Sequence, residues 1–428
     1  MKLEIKQRIE QIKAGQVPDG YKRTRAGIMP YDWCCDREYR AKDIFKSITN
    51  KKHNSEFDVL SATQDKGVIP REQVDINIKY NKDSVAGYKK VDKGDFVISL
   101  RSFQGGIEYS EYEGLVSPAY TVLKPIIPIC DEYYKYYFKT SDYINRLNIG
   151  TYGIRDGKQI GYEDFGDMVI HYPPLAEQEK VAKILSTQNR IIELYQRKIE
   201  ELQKMKNVYL SKMFPKKGES VPEWRFPQFT GAWEQRKLGG DIVNIHTGTN
   251  LLGSESNSGL PLIKMGNIQR GYFNISKLEY LAEGEYPEEE DIVSYGDFFF
   301  NTRNTLELVG KGATWMGASG KYAFNSNIAR LELKNVDTIF FNYLYNTEDM
   351  TKQIHVRATG TTSVAAIYPQ TLESVEYCVP TMKEQRMIGS SFHTLDNLIT
   401  LHQRKLEETK KYKKALMQLL LTGIVRCK

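Results

Sequence analysis

The sequence predicts an α+β protein: two mixed α/β modules with twisted sheets, separated by two long helices that pair as an antiparallel coiled coil in a pseudo-two-fold internal repeat. Three observations carry this expectation. A charged, helix-prone phrase is written twice, as YQRKIEELQKMK at 195–206 and HQRKLEETKKYK at 402–413. Each copy lies downstream of a Pro-x-x-x-Glu-Gln opening, at Pro173 and at Pro380. The segments ahead of those openings also echo one another, KGDFVISLR at 93–101 against YGDFFFNTR at 295–303.

In chain order, residues 1–18 read as an N-terminal helix. Their KLEIKQRIEQIKAGQVP resembles the tail of a long helix entering its Val-Pro linker, QKMKNVYLSKMFPKKGESVP. Residues 19–172 form the first module, with β-prone runs GDFVISL and YTVLKP, glycine-rich punctuation, and helical DEYYKYYFKTSDYINRL. Residues 173–216 are the central helix. Residues 217–379 repeat the module pattern with GDFFFNT, NIARLEL and helical DTIFFNYLYNTEDMTKQI, and 380–428 are the C-terminal helix. Setting 173–214 over 380–421 gives 13 identities in 42 ungapped positions, an offset of 207 residues that is too long for a solenoid unit. A proline and a first-turn acid open each helix, where the helix dipole favours negative charge. Seam residues then recur at alternating steps of three and four. They are Leu185, Gln188, Ile192, Tyr195, Ile199, Leu202, Lys206, Tyr209 and Met213, then Phe392, Leu395, Ile399, His402, Leu406, Thr409, Lys413, Leu416 and Leu420. About 40 residues make a rod of roughly 60 Å, longer than one small module can wrap. The polar seam positions either fix register or carry their tips to water.

Charge and motif content narrow the function. The net charge of +6 and pI near 8.7 permit an anionic partner without demanding one. There is no signal peptide and no apolar run long enough to span a membrane, so a cytoplasmic protein is expected. The five cysteines lack metal-ligand spacing. No phosphate loop, dinucleotide fingerprint, zinc-protease motif or nucleophile elbow occurs. A doubled chain without catalytic motifs reads as a binding device. Its loops combine cations with amides, hydroxyls and aromatics: Arg101 and Gln104 in RSFQGG; Tyr152, Arg155 and Lys158 in YGIRDGKQ; Lys264, Asn267, Gln269 and Arg270 in KMGNIQRGY. In the second module there are also Arg303 and Asn304 in NTRNT, Lys321 and Asn325 in GKYAFNSN, and Arg357, Thr361 and Thr362 in RATGTTS. Arginine and lysine pair with guanine edges and amides with adenine, while small hydroxyls approach phosphates. The plainer alternative is an arginine ion-paired at a strand end and Gly-Asn pieces that are only turns.

The twin openings PPLAEQEKVAKIL and PTMKEQRMIGSSF, the twin QRK rods, the paired GDF segments, and GTYGI (150–154) near GTTSV (360–364) carry a resemblance over the whole chain. It resembles the DNA-specificity (S) subunit of type I restriction–modification systems. The resemblance implies two target recognition domains, each reading half of a bipartite, asymmetric double-stranded DNA site. It implies an antiparallel coiled coil that spaces them and docks two methyltransferase (modification) subunits, with restriction subunits in the full complex. The docking and coil candidates are Leu185, Ile192, Gln196, Arg197, Lys198, Ile199, Leu202, Phe392, Leu395, Ile399, Gln403, Arg404, Lys405 and Leu406. By the same resemblance this chain is non-catalytic and binds no cofactor, S-adenosylmethionine, ATP and Mg2+ belonging to partner subunits. GIMPYDWCCDREYR departs from the usual entry into a recognition domain, whereas FTGAWEQRKLGG is closer to it. The competing expectation is a coiled-coil adaptor whose lobes bind carbohydrate or peptide.

Overall fold

Short β-prone runs punctuated by glycine build two separate four-stranded antiparallel sheets. The computed structural model describes residues 3–33, 37–53, 56–74, 82–150, 160–256 and 259–427. They fall into two units, 1–195 with 405–428, and 196–404. In the first unit the strand order is Phe45–Ile48, Thr121–Pro125, Phe96–Ile98, Glu108–Tyr109. In the second it is Ile242–Thr247, Ile328–Leu333, Phe298–Asn301, Gly312–Thr314. Both follow one scheme, in which the GDF strand lies between the next and the last strands, in sequence, of its own sheet. Register pairs Val122 with Val97 in the first sheet, and Phe298 with Leu331 and Thr314 in the second.

The repeated Gly-Asp-Phe is a turn device. Gly94 and Gly296 have φ of 95° and 91°, a region that disfavours side chains with a Cβ. The Asp95 carboxylate accepts from the Asp92 amide at 2.9 Å, and that of Asp297 from the Ser294 amide at 2.8 Å. The phenylalanines that follow, Phe96 and Phe298, are fully buried.

Each helical segment predicted between sheet and long helix divides in two. DEYYKYYFKTSDYINRL forms Asp131–Tyr137 and Ser141–Gly150, and DTIFFNYLYNTEDMTKQI forms Thr338–Tyr345 and Glu348–Val356. The breaks fall at Thr140 and Thr347, again 207 residues apart, where each threonine hydroxyl turns back to a carbonyl, Tyr137 O at 2.8 Å and Leu344 O at 2.7 Å. A hydroxyl satisfied this way competes with helix continuation.

The long helices are Leu175–Lys212 and Met382–Leu421, and the boundary between units falls inside both. Their openings are anchored alike. Gln178 donates to Pro173 O at 2.7 Å and accepts from the Cys130 amide at 2.9 Å. Gln385 donates to Pro380 O at 2.9 Å and accepts from the Asp337 amide at 2.9 Å. Each glutamine thus ties a long helix to the first turn of its unit's helix pair. Glu177 accepts from Arg426 Nε at 2.8 Å and Nη2 at 2.7 Å, from the Trp33 indole at 2.9 Å, and from the Cys427 amide at 3.0 Å. Burial alone would raise its carboxyl, but these donors hold it below the ordinary carboxylate value. Glu384 accepts from Arg225 Nε and Nη2, both at 2.7 Å.

Within each unit the long-helix segments pack on one another in opposite senses. In the second, Leu202, Leu395 and Ile399 form a buried cluster; Lys206 reaches Asp396 at 2.6 Å, and Tyr209 meets Phe392 edge-on. In the first, Leu185 shares a core with Leu420 and Leu421, and Lys413 donates to Asn189. Lys206 and Lys413 therefore take up polar partners. Ile199 and Leu406 are also buried, and Ile192 is half-buried. Gln196, Arg197, Lys198, Gln403, Arg404 and Lys405 are exposed. The N-terminal helix, Leu3–Lys13, has no buried residue; Arg8 donates to Ile424 O and Tyr21 to Gly423 O, both at 2.7 Å.

Candidate nucleic-acid interface

In the second unit, several of the polar loops picked out by composition meet at the carboxyl end of strand Phe298–Asn301. Thr302, just past that strand, donates its hydroxyl to Asn327 O at 2.9 Å and accepts at its carbonyl from the Ile367 amide at 2.9 Å. Arg303–Asn304 then pairs with Ala365–Ala366, which pairs in turn with Thr359–Gly360. The segments NTRNT, FNSN and RATGTTS, remote in sequence, are thus laced into one rim. Loop 247–252 joins it, since the Ser326 amide donates to Thr249 O at 2.9 Å. The signal for this convergence is weak in sequence, because sheet order brings the loops together.

The rim sorts its candidates. Arg303 is exposed, and its guanidinium has no partner among the described residues. Thr361 and Thr362 are exposed at the tip of the Thr359–Ala366 hairpin. The Thr361 hydroxyl lies 3.2 Å from that of Ser363, and Thr362 O accepts from the Leu306 amide at 3.1 Å. Asn304 and Asn325 each accept a nearby amide locally, from Thr305 at 2.8 Å and Asn327 at 2.9 Å.

A second basic group adjoins the rim. Arg270 reaches Glu307 O at 3.4 Å and His355 Nε2 at 3.1 Å, and Lys311 donates to Gln269 Oε1 at 2.9 Å. Burial, reinforced by the Arg270 charge, lowers the Lys311 ammonium pKa. Lys311 and His355 were not evident from sequence, Lys311 because a single lysine in VGKGAT carries no pattern.

Other candidates are engaged within the unit. Asn267 is buried, accepting from the Lys264 amide at 2.9 Å and donating to Asn274 O at 3.0 Å and Lys277 O at 2.8 Å, so its amide closes the 264–277 loop. Lys264 is ion-paired with Glu279. Arg357 spends its guanidinium on the helix end, reaching Gln353 O at 2.7 Å, Thr371 O at 3.0 Å and Ser374 O at 2.8 Å. Lys321 is exposed but lies before strand Ala323–Phe324, at the end opposite Asn325.

In the first unit, Arg101 follows the corresponding strand and is exposed, as is Gln104, which accepts from Gln64 at 3.4 Å. Tyr120 is the focus of a basic group. Lys89 donates to its carbonyl at 2.6 Å. Burial raises the Tyr120 hydroxyl, and the charges of Arg71 and Arg101 oppose the shift. Burial and the nearby Lys51 charge lower the Lys89 ammonium. Arg71, Lys89 and Lys51 are not evident from sequence, because only folding gathers them around Tyr120. Tyr152, Arg155 and Lys158 lie outside the described residues. Among the described residues, no group of three or more His, Cys, Asp or Glu is placed to hold a metal ion. No helix among them is long and apolar enough to cross a membrane.

Comparison with known proteins places these units. The family model described as "Type I restriction modification DNA specificity domain" matches twice, over residues 36–204 and 231–411. Two curated relatives from Methanocaldococcus jannaschii align along nearly their full length. The type I restriction enzyme MjaVIII specificity subunit is 24% identical over 436 residues, covering 96% of this chain and 97% of the relative. The putative type I restriction enzyme MjaX specificity subunit is 25% identical over 449 residues, with the same coverage. A solved structure of the S subunit of a type I restriction–modification system from M. genitalium superposes with a TM-score of 0.56 at 15% identity. It covers 90% of this chain and 95% of its own, a likeness of fold.

Proposed function

The chain belongs to the type I restriction–modification DNA-specificity family, and from that premise we propose that it reads a bipartite, asymmetric site on double-stranded DNA, one half per unit. The observation that carries this reading is the contrast within the repeat. The two units share sheet order, Gly-Asp-Phe turns and glutamine anchors, but their rims differ. Equal frames with unequal rims suit two different half-sites.

Arg303, Thr361 and Thr362 contribute in the second unit, and Arg101 with the Tyr120 basic group in the first. Cations and hydroxyls there hold phosphates, and the exposed arginines reach base edges. The two long helices act as an antiparallel coiled-coil spacer that relates the units by a pseudo-two-fold axis. Half-sites about one helical turn apart, roughly 34 Å, suit a rigid spacer of that scale. The exposed QRK faces, Gln196-Arg197-Lys198 and Gln403-Arg404-Lys405, dock two modification subunits, and restriction subunits join the larger complex. Catalysis, with S-adenosylmethionine, ATP and Mg2+, resides in those partners.

Co-expression with the cognate methyltransferase, followed by genome-wide mapping of methylated adenines, tests the reading. The expected result is one split motif with a fixed gap, and DNA affinity that falls steeply with salt. An unsplit motif, or affinity indifferent to salt, overturns it and favours an adaptor with lobes for other ligands.

A further inference from the structure

We propose that Leu252 and Val364 are the groups with which the second unit recognises thymine, each packing against a 5-methyl group in the major groove; this rests on the DNA-reading function proposed above. Leu252 is 86% exposed and Val364 68% exposed, beside a rim rich in cations, amides and hydroxyls. Neither position is a frayed end. Thr249, in the loop of Leu252, is bonded on both sides, its amide to Phe324 O and its carbonyl to the Ser326 amide, each at 2.9 Å. Thr249 also accepts the Leu251 amide on its hydroxyl at 3.2 Å. Leu251 packs against an apolar cluster while Leu252 is left to solvent.

Val364 closes a tight turn in which the Thr361 amide donates to Val364 O at 2.8 Å. Gly360, at φ 130°, admits that turn, since a Cβ there would stand 2.3 Å from Val364 O. Val364 directly precedes Ala365–Ala366, the strand paired with Arg303–Asn304. Exposed aliphatic groups on hydrogen-bonded loops of a rim that carries an open arginine have one apolar target on a duplex edge: the thymine methyl, the only such group that the four bases present in the major groove. Tyrosine or phenylalanine would suit stacking on splayed bases, whereas short branched side chains suit a methyl.

The experiment uses the full chain and duplexes carrying its methylation motif. Each thymine of the half-site assigned to the second unit is replaced in turn by deoxyuridine, which keeps every hydrogen-bonding group and loses only the methyl. Fluorescence anisotropy should show two positions at which uracil weakens wild-type binding about fourfold, the equivalent of ~0.8 kcal/mol for one buried methyl. Leu252→Ala should abolish the penalty at one position and Val364→Ala at the other, each leaving the second penalty intact. Specific binding with no uracil penalty, or penalties that persist in both variants, overturns the inference alone. Equal affinity for target and scrambled duplexes overturns the proposed function and the inference with it.

Discussion

Two similar clamps differ in their further partners, and those partners set the cost of breaking them. Glu384 is fully buried and receives Arg225 through two bonds of 2.7 Å, and that guanidinium also donates to the Gly231 carbonyl. Glu177 receives Arg426 in the same bidentate manner, but Arg426 also holds both oxygens of Asp32 at 2.8 Å. Glu384→Gln keeps the side-chain shape and strands a guanidinium whose side chain is 14% exposed. Removing one partner of a buried pair costs about 3 to 5 kcal/mol, and the edge of Arg225 that reaches water points to ~3 kcal/mol. Glu177→Gln leaves Arg426 paired with Asp32, but its amide nitrogen replaces an oxygen that accepts two donors, so the loss should be nearer ~2 kcal/mol, about 1 for each bond. For units of roughly 200 residues these figures correspond to Tm shifts of about 6–12 °C and 4–8 °C. Differential scanning calorimetry of the full-length variants measures both. Arg225→Met in the Glu384→Gln background should recover part of the loss, because the uncompensated charge is gone. Equal shifts for the two single variants, or a larger one for Glu177→Gln, would refute the argument that the second carboxylate decides.

Further perturbations separate scaffold from reader. Arg303→Ala should relax base selection in one half-site only, by about 1–3 kcal/mol, read from methylation of a randomised target library; uniform loss across both halves would make it a phosphate contact. Ile199→Lys or Leu406→Lys should weaken packing of the long helices by a few kcal/mol, since each buries an unpaired charge in a position at most 9% exposed; unchanged urea midpoints would remove these residues from the seam. Burial, aided by the Arg146 charge, lowers the His171 imidazole to about 4, so its folded state prefers the neutral ring. The stability this provides is present above 6.5 and is lost as pH falls towards 4, on the order of 3 kcal/mol; His171→Gln should flatten that slope.

The sequence exposed the frame far better than the site, for a physical reason. Pro173, Gln178 and the Gly-Asp-Phe turns recur because each performs a backbone task that both units share, and Glu177 recurs as Glu384 because each receives an arginine. The same duplication hides the rims: they differ between the two units, and no repeat marks them. Arg303 stood out because it follows a repeated strand. Lys311 and His355 did not, since only folding places them beside Gln269 and Arg270. Polar composition also misdirects. Asn267 and Arg357 have the chemistry of base readers, but their hydrogen-bonding groups are taken by loop and helix carbonyls, and composition cannot distinguish an engaged amide from an open one. The two helical segments were legible as helical, but their breaks were not, because a threonine in mid-pattern reads as a tolerated helix residue.

The clamps also bear on why the N-terminal segment resembles the tail of a long helix. In the second unit, Arg225, which follows the first long helix, closes on Glu384, which opens the second. In the first unit, Arg426, which follows the second long helix, closes on Glu177, which opens the first. Each unit therefore needs the start of one helix and the tail of the other. The cores show the same dependence: Met213 and Phe214 enter the core around Phe298 and Phe340, and Leu420 and Leu421 enter the core around Phe96 and Tyr134. The second unit meets this need within one continuous stretch of chain. The first joins groups up to 416 residues apart, as Arg8 to Ile424, so its closure carries the larger loop entropy. Cut at the sequence borders, the second module (217–379) would keep Arg225 without Glu384, and the first (19–172) would lose both Glu177 and Arg426. What was duplicated is then a helix together with the clamp beyond it, and the helices are structural parts of both units, whatever else they space or dock.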